Sequence, residues 1–146
     1  MNRANFIHKC SAACVGGSLI TAWLQSCTAQ KAIPVSFQNN QLTVPLSALF
    51  TQRSEKIKWK RAVVIRHEQT PFPIALFRYA ENDYKAVLLR CTHQGNELSL
   101  YGDLISCNAH GSEFNTKGEV QQGPADAPLH SFPVTYDNQN IYIQLA

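Results

Sequence analysis

The sequence predicts an all-β fold. Short runs rich in Val, Ile, Tyr and Phe recur along the chain, turn-forming residues break them up, and no stretch sustains helical periodicity. In chain order the predicted strands are Leu42 to Val44, Ile57 to Ile65, Ile74 to Tyr79, Tyr84 to Leu89, Glu97 to Leu100, Leu104 to Ser106, Ser131 to Tyr136 and Ile141 to Leu145. Tyr101-Gly102-Asp103 and Asp137-Asn138-Gln139-Asn140 have turn composition, and Leu46 to Phe50 fits one helical turn. There is no internal repeat and no low-complexity tract.

The segment around Ile57 alternates, with Ile57, Trp59, Val63 and Ile65 on one side and Lys56, Lys58 and Lys60 on the other. This predicts a core face and a basic face. Lysines on a solvated edge guard against aggregation; docking to an acidic partner is the other reading of the same charges.

With 146 residues and 45% hydrophobic content, the chain has room for one ordinary domain with its own core. The formal charge is +3, and setting aside Arg3 and Lys9 leaves eleven basic against ten acidic residues (13 minus 2, against 10). That balance argues against a nucleic-acid partner.

At the N-terminus, Arg3 and Lys9 precede the small and apolar run Ser11 to Leu24, too short to span a bilayer comfortably. Residues 1–26 therefore read as a signal peptide. Leu24-Gln25-Ser26-Cys27 resembles the lipobox of bacterial lipoproteins, with Cys27 as the lipid-bearing residue and Gln25 as a departure. The opening also resembles a twin-arginine export signal whose second arginine is Ala4. Cys10 and Cys14 are small apolar residues of the discarded peptide. Residues 27–40, polar and containing Pro34, read as a linker, and 41–146 as the domain. The expected location is the exported, periplasmic side, with the protein held to the membrane by lipid on Cys27.

An odd number of cysteines, three of them in the first 27 residues, does not suit a disulfide framework. The two in the domain stand in Cys91-Thr92-His93 and, after thirteen intervening residues, in Cys107-Asn108-Ala109-His110. Two thiolates and two imidazoles suit a tetrahedral ion or a cluster. Zinc modules usually pair two cysteines in one knuckle and two histidines in the other, whereas each pair here mixes the types. His67 and His130 have no ligand-like spacing and read as structural histidines.

These pairs, with Gly95, His110-Gly111-Ser112-Glu113-Phe114, Gly118, and Gly123-Pro124-Ala125 followed by Pro128-Leu129, resemble the Rieske 2Fe-2S family from about Leu42 to the C-terminus. The resemblance implies an antiparallel β-sandwich with two cluster-binding hairpin loops and one 2Fe-2S cluster per chain. It implies Cys91 and Cys107 on one iron, and His93 and His110 on the other. Gly95 and Gly111 would bring amide N–H groups to the cluster sulfurs, and the loop at Pro124 would cover the cluster's other side. Ser112 matches a serine that donates to a bridging sulfur. Phe114 stands where high-potential members have a tyrosine, and Asn96 and Ala109 stand where quinol-oxidising members have a disulfide.

The function implied is one-electron transfer, as an exported shuttle or accessory subunit of an oxidoreductase system with a redox protein partner. No second redox site or mononuclear iron motif follows His110, so no self-contained catalytic site is expected. A subunit of a quinol-oxidising complex and a redox-silent, zinc-stabilised binding module are the alternatives.

Overall fold

The computed structural model describes residues 33–145. The expected signal segment with Arg3, Ala4, Cys10 and Cys14, and the expected lipid site at Cys27, lie outside the described residues. Within them the strands are β1 (Ser36–Gln38), β2 (Gln41–Pro45), β3 (Phe50–Arg53), β4 (Lys56–Trp59), β5 (Ala62–Ile65), β6 (Ile74–Ala80) and β7 (Asp83–Leu88). There follow β8 (Ser99–Tyr101), β9 (Leu104–Ser106), β10 (Glu113–Phe114), β11 (Val120–Gln122), β12 (Ser131–Phe132), β13 (Val134–Tyr136) and β14 (Asn140–Gln144). Leu46–Leu49 form a single 3-10 turn.

All pairings are antiparallel and fall into three four-stranded sheets, ordered β1-β2-β14-β13, β12-β7-β6-β5 and β11-β10-β9-β8, with β3 and β4 as a separate ribbon. The middle sheet explains why β6 and β7 read as nearly continuous apolar runs. Alternate side chains point to opposite faces, and both faces are covered. Ile74, Leu76 and Ala86 join Leu42, Val44, Ile141 and Ile143 of the first sheet in one core. Ala75, Phe77 and Val87 join Ile105 and Phe114 of the third sheet in another, which also holds Cys91 and Cys107.

Between β7 and β12 the chain leaves the middle sheet, builds the third, and returns beside its own exit. Leu88 N–H donates to the His130 carbonyl at 2.8 Å, and Ser131 pairs with Val87. Both Cys/His pairs lie in this excursion, which is packed down at Gly118. There φ is +85°, and a Cβ would sit 3.1 Å from that of Leu129, whose N–H donates to the Gly118 carbonyl.

The local reading departs from the structure at several places: β3, β10 and β11 fall where no strand is predicted, and four predicted segments differ in detail. The predicted strand Ile57 to Ile65 is two, β4 and β5, parted at Lys60-Arg61, and Ile57 and Trp59 are exposed rather than core; only Val63 and Ile65 are buried. Ser131 to Tyr136 divides at Pro133, which has no N–H to give, and the halves join different sheets. The polar stretch before Gln41 contains β1, whose Phe37 packs on the first core. The strand expected at Glu97 to Leu100 is Ser99–Tyr101, with Glu97 making only an isolated bridge to Arg90.

Candidate metal centre

Two loops with one hydrogen-bond pattern carry the four candidate ligands. In the first, closed by the Arg90–Glu97 bridge, Cys91 N–H donates to the Asn96 carbonyl at 2.8 Å and Gly95 N–H to the Cys91 carbonyl at 2.8 Å. In the second, between β9 and β10, Cys107 N–H donates to the Ser112 carbonyl at 2.8 Å and Gly111 N–H to the Cys107 carbonyl at 2.9 Å. Each loop thus folds back on its cysteine through a glycine four residues later, with φ of +76° at Gly95 and +78° at Gly111. That left-handed conformation is costly for a residue with a Cβ.

The two glycines act through the turn they allow rather than as donors themselves. Their N–H groups are spent on the cysteine carbonyls, not directed to sulfur. The amides that reach a sulfur are those of the residues before Gly111. Burial pushes the Cys107 thiol up, but the N–H groups of His110 and Ala109 donate to it, as does the Cys91 thiol, and the balance holds it below the usual thiol range.

Cys91 and Cys107 are buried at 2% and 1% exposure, with the Cys91 thiol within hydrogen-bonding reach of Cys107. The two imidazoles lie together at the surface side. The rings of His93 and His110 are 5.0 Å apart between centroids and nearly perpendicular, at 85°. His93 is half-buried and its Nδ1 is buried with no hydrogen-bond partner, while His110 is exposed.

A third segment ties both loops down. Gly123–Pro124 is a cis peptide bond, and the next residue, Ala125, donates its N–H to Ser112 Oγ at 3.0 Å. Ser112 is fully buried, so its oxygen accepts this bond while its own hydrogen remains available. Thr92 Oγ1 donates to the Ala127 carbonyl at 2.7 Å. Pro124 itself is exposed. Sequence reasoning passed over Thr92; its partner lies 35 residues away, so nothing local marks it. Asn108, also passed over, links the second loop to β8 through Ser99 Oγ at 3.0 Å.

The remaining candidates fall outside the centre. His67 Nδ1 accepts from Gln69 N–H at 3.2 Å and its ring packs near Phe37, a local structural role. His130 is exposed and meets Phe132 edge-on; with Arg90, Thr92 and Ala127 it borders a shallow cavity beside His93. Asn96 and Ala109 are exposed on the two loops, and Cys91 and Cys107 are free thiols.

The donor set fits a two-iron cluster better than one ion. A four-ligand zinc site gathers all its donors around a single point. Among the described residues no three Cys, His, Asp or Glu side chains form such a group. What the loops present is a thiol pair behind an imidazole pair, with the unpartnered His93 Nδ1 awaiting a ligand.

Comparison with known proteins gives the family. A family model described as the Rieske [2Fe-2S] domain matches residues 49–133. The mitochondrial Rieske subunit of the cytochrome b-c1 complex from Neurospora crassa is 30% identical over 117 residues, 64% of this chain and 50% of that protein. The chain therefore spans about half the length of the curated relative it matches. A chain of a hyperthermophilic respiratory Complex III superposes with a TM-score of 0.51 at 18% identity, over 96% of this chain and 99% of that one. The plasma membrane Rieske protein of the cyanobacterium Synechocystis PCC 6803 gives 0.49 at 23% identity, over 57% of this chain and 85% of that one.

Proposed function

Because the chain belongs to the Rieske [2Fe-2S] domain family, we propose that it passes single electrons as an exported shuttle or accessory subunit of an oxidoreductase system. Proteins of this family hold a Rieske-type 2Fe-2S cluster and serve electron transfer. The observation that carries the ligand assignment is the pairing of the His93 and His110 rings, 5.0 Å apart, over two buried cysteines from the same two loops. Cys91 and Cys107 are the ligands of the inner iron, and His93 and His110 those of the outer one.

When bound, the cluster supplies a one-electron couple. The chain's part is to hold the thiolates dry, which the burial of both cysteines does, and to aim dipoles at them, as the N–H groups of Ala109 and His110 do at Cys107. The exposed edge of His110 is the point a redox partner would touch. Thr92 and Ser112 tie the two ligand loops to the segment 125–127, which limits how far the loops rearrange as charge changes.

His93→Ala and His110→Ala should each abolish the Rieske signal in electron paramagnetic resonance; a normal spectrum from either variant removes the assignment. The location rests on residues 1–27. If Cys27 bears lipid, Cys27→Ala should release the protein from membranes, and a wholly soluble wild type with an unmodified N-terminus refutes the anchor.

The 30% identity to a cytochrome b-c1 subunit favours a second reading, service to a quinol-oxidising complex. Asn96 and Ala109 weigh against it, since the loop disulfide of such members has no cysteines here. Potential separates the two, Rieske centres spanning about −150 to +300 mV. An intermediate value supports the shuttle, and a value at the upper extreme supports the quinol-oxidising subunit.

A further inference from the structure

The ribbon of β3 and β4 carries charge and apolar surface that the rest of the fold does not use. Its strands pair only with each other among the described residues, and every residue of β4 is exposed. The register sets Arg53 opposite Lys56 and Thr51 opposite Lys58, so three cations crowd one face and two of them stand directly across the ladder. Like charges so placed weaken a sheet. Glu55, in the turn, is the one acid between Phe50 and Trp59. Lys60 and Arg61 are engaged with the Ala48 carbonyl and Asp103, whereas Arg53, Lys56 and Lys58 have no partner among the described residues.

The other face holds Ile57, 53% exposed, and Trp59, 39% exposed, with the Arg78 guanidinium 4.0 Å over the indole. An indole under a cation beside an exposed isoleucine suits the boundary between lipid headgroups and acyl chains.

Two placements decide what could lie against it. The ribbon joins the middle sheet where Arg78 N–H donates to the Arg61 carbonyl, while the loop of Cys91 leaves that sheet at the Ile74 end of β6. Four strand residues separate these points, on the order of 13 Å. The chain also enters the domain on the ribbon's side: Ser36 pairs with Thr43, so residues before β1 run toward Pro45, from which Leu46–Leu49 lead directly into β3.

We propose that the β3–β4 ribbon meets an anionic lipid bilayer edge-on, along the edge of β4 that pairs with no strand among the described residues, so that Lys56 and Lys58, with Arg53 behind them, reach the headgroups on one side of that edge and Ile57 and Trp59 on the other. The ligand loops then face away from the membrane, toward a redox partner. The proposal extends the exported, membrane-held reading above but does not require lipid on Cys27.

The test uses the full chain, cluster loaded, with Cys27→Ala so that acyl chains contribute nothing. It is mixed with vesicles of phosphatidylcholine alone or with a third of phosphatidylglycerol, and floated. Binding should be stronger on the anionic vesicles and fall with salt. Lys56→Gln with Lys58→Gln should lower the anionic partition about thirtyfold, two surface charges' worth, and leave neutral vesicles unaffected. An unchanged visible spectrum shows that the variant is folded. Equal binding to both vesicle types, or no effect of the double variant, overturns the proposal. So does a salt-sensitive defect in electron exchange with an acidic redox protein when vesicle binding is unaltered, since the ribbon then serves a protein. Loss of lipidation at Cys27 leaves every one of these readings intact.

Discussion

At Ser112 the hydroxyl oxygen accepts the Ala125 amide within a fully buried site. Under the proposed assignment its hydrogen would donate to a cluster sulfur, and Ser112→Ala would then remove both bonds. Loss of the donor should lower the reduction potential by on the order of 20–60 mV, one neutral hydrogen bond being worth about 0.5–1.5 kcal/mol. The orphaned Ala125 N–H should cost a further ~1–3 kcal/mol of stability. Phe114→Tyr should raise the potential by a similar amount, by adding a donor within the core that holds both cysteines. Protein-film voltammetry measures both shifts. A potential indifferent to Ser112 removes the hydrogen bond from the account.

Much of this site was legible in the sequence because cluster ligation demands particular atoms at particular spacings. Cys91, His93, Cys107, His110 and Ser112 all lie where the motif leads one to look. What escaped was the use of backbone groups. A motif identifies Gly95 and Gly111 as places where the backbone must turn, but it does not say which carbonyl receives the freed N–H. Thr92 and Asn108 were invisible for a related reason, their partners being set by tertiary structure.

Among the elements, strands with a buried face and clear turns at their ends were the legible ones, as Leu104–Ser106 illustrates. The segment 57–65 misled because alternation continues across the Lys60-Arg61 break, and period alone does not say whether a face meets a core. The β13–β14 turn makes a sharper case. Asp137 accepts the N–H groups of Gln139 and Asn140 and the Tyr142 hydroxyl, each at 2.7 Å. The Tyr142 hydroxyl and those amides hold its carboxyl below the usual range, and Asp137 in turn holds the Tyr142 hydroxyl above its own. A lowered carboxyl stabilises the fold above its unfolded value, about 3.9, and loses that effect as pH falls through the folded value. A raised phenol stabilises below about 10 and loses it as pH rises through the folded value. Asp137→Ala should therefore be less stable than wild type near neutrality, with the difference closing in acid and narrowing in strong alkali, where the Tyr142 bond is lost but the Gln139 and Asn140 amides still bind the carboxylate. Urea unfolding at pH 3, 7 and 11 checks the sign.

For the molecule as a whole, the middle sheet joins two cores of unlike character. The first is closed by apolar side chains alone, while the second includes Cys91 and Cys107. Removing the iron leaves two buried thiols and His93 Nδ1 without a ligand, so the cost falls on the second core. Hydrogen exchange of cluster-free protein should show lost protection in β8 to β11 and retained protection in β2 and β14. Uniform loss would mean that the cores do not separate. Phe77→Ala, in the second core, should destabilise the protein by ~3–5 kcal/mol and hasten loss of the visible spectrum.

The closeness of Leu88 and His130 has a consequence for engineering. An excursion whose two ends are hydrogen-bonded neighbours can be cut out or moved without stretching what remains, as with domain insertions at paired surface sites. Replacing residues 90–129 by a short turn should leave a colourless two-sheet protein, once Ala75, Phe77 and Val87, stripped of their cover, are made polar. Far-ultraviolet circular dichroism and a cooperative thermal transition would report its survival. The reverse operation, grafting this stretch onto an antiparallel hairpin with a comparable apolar face, should carry the red-brown colour with it. In that sense the electron carrier is a cassette, and the sandwich beneath it is the socket.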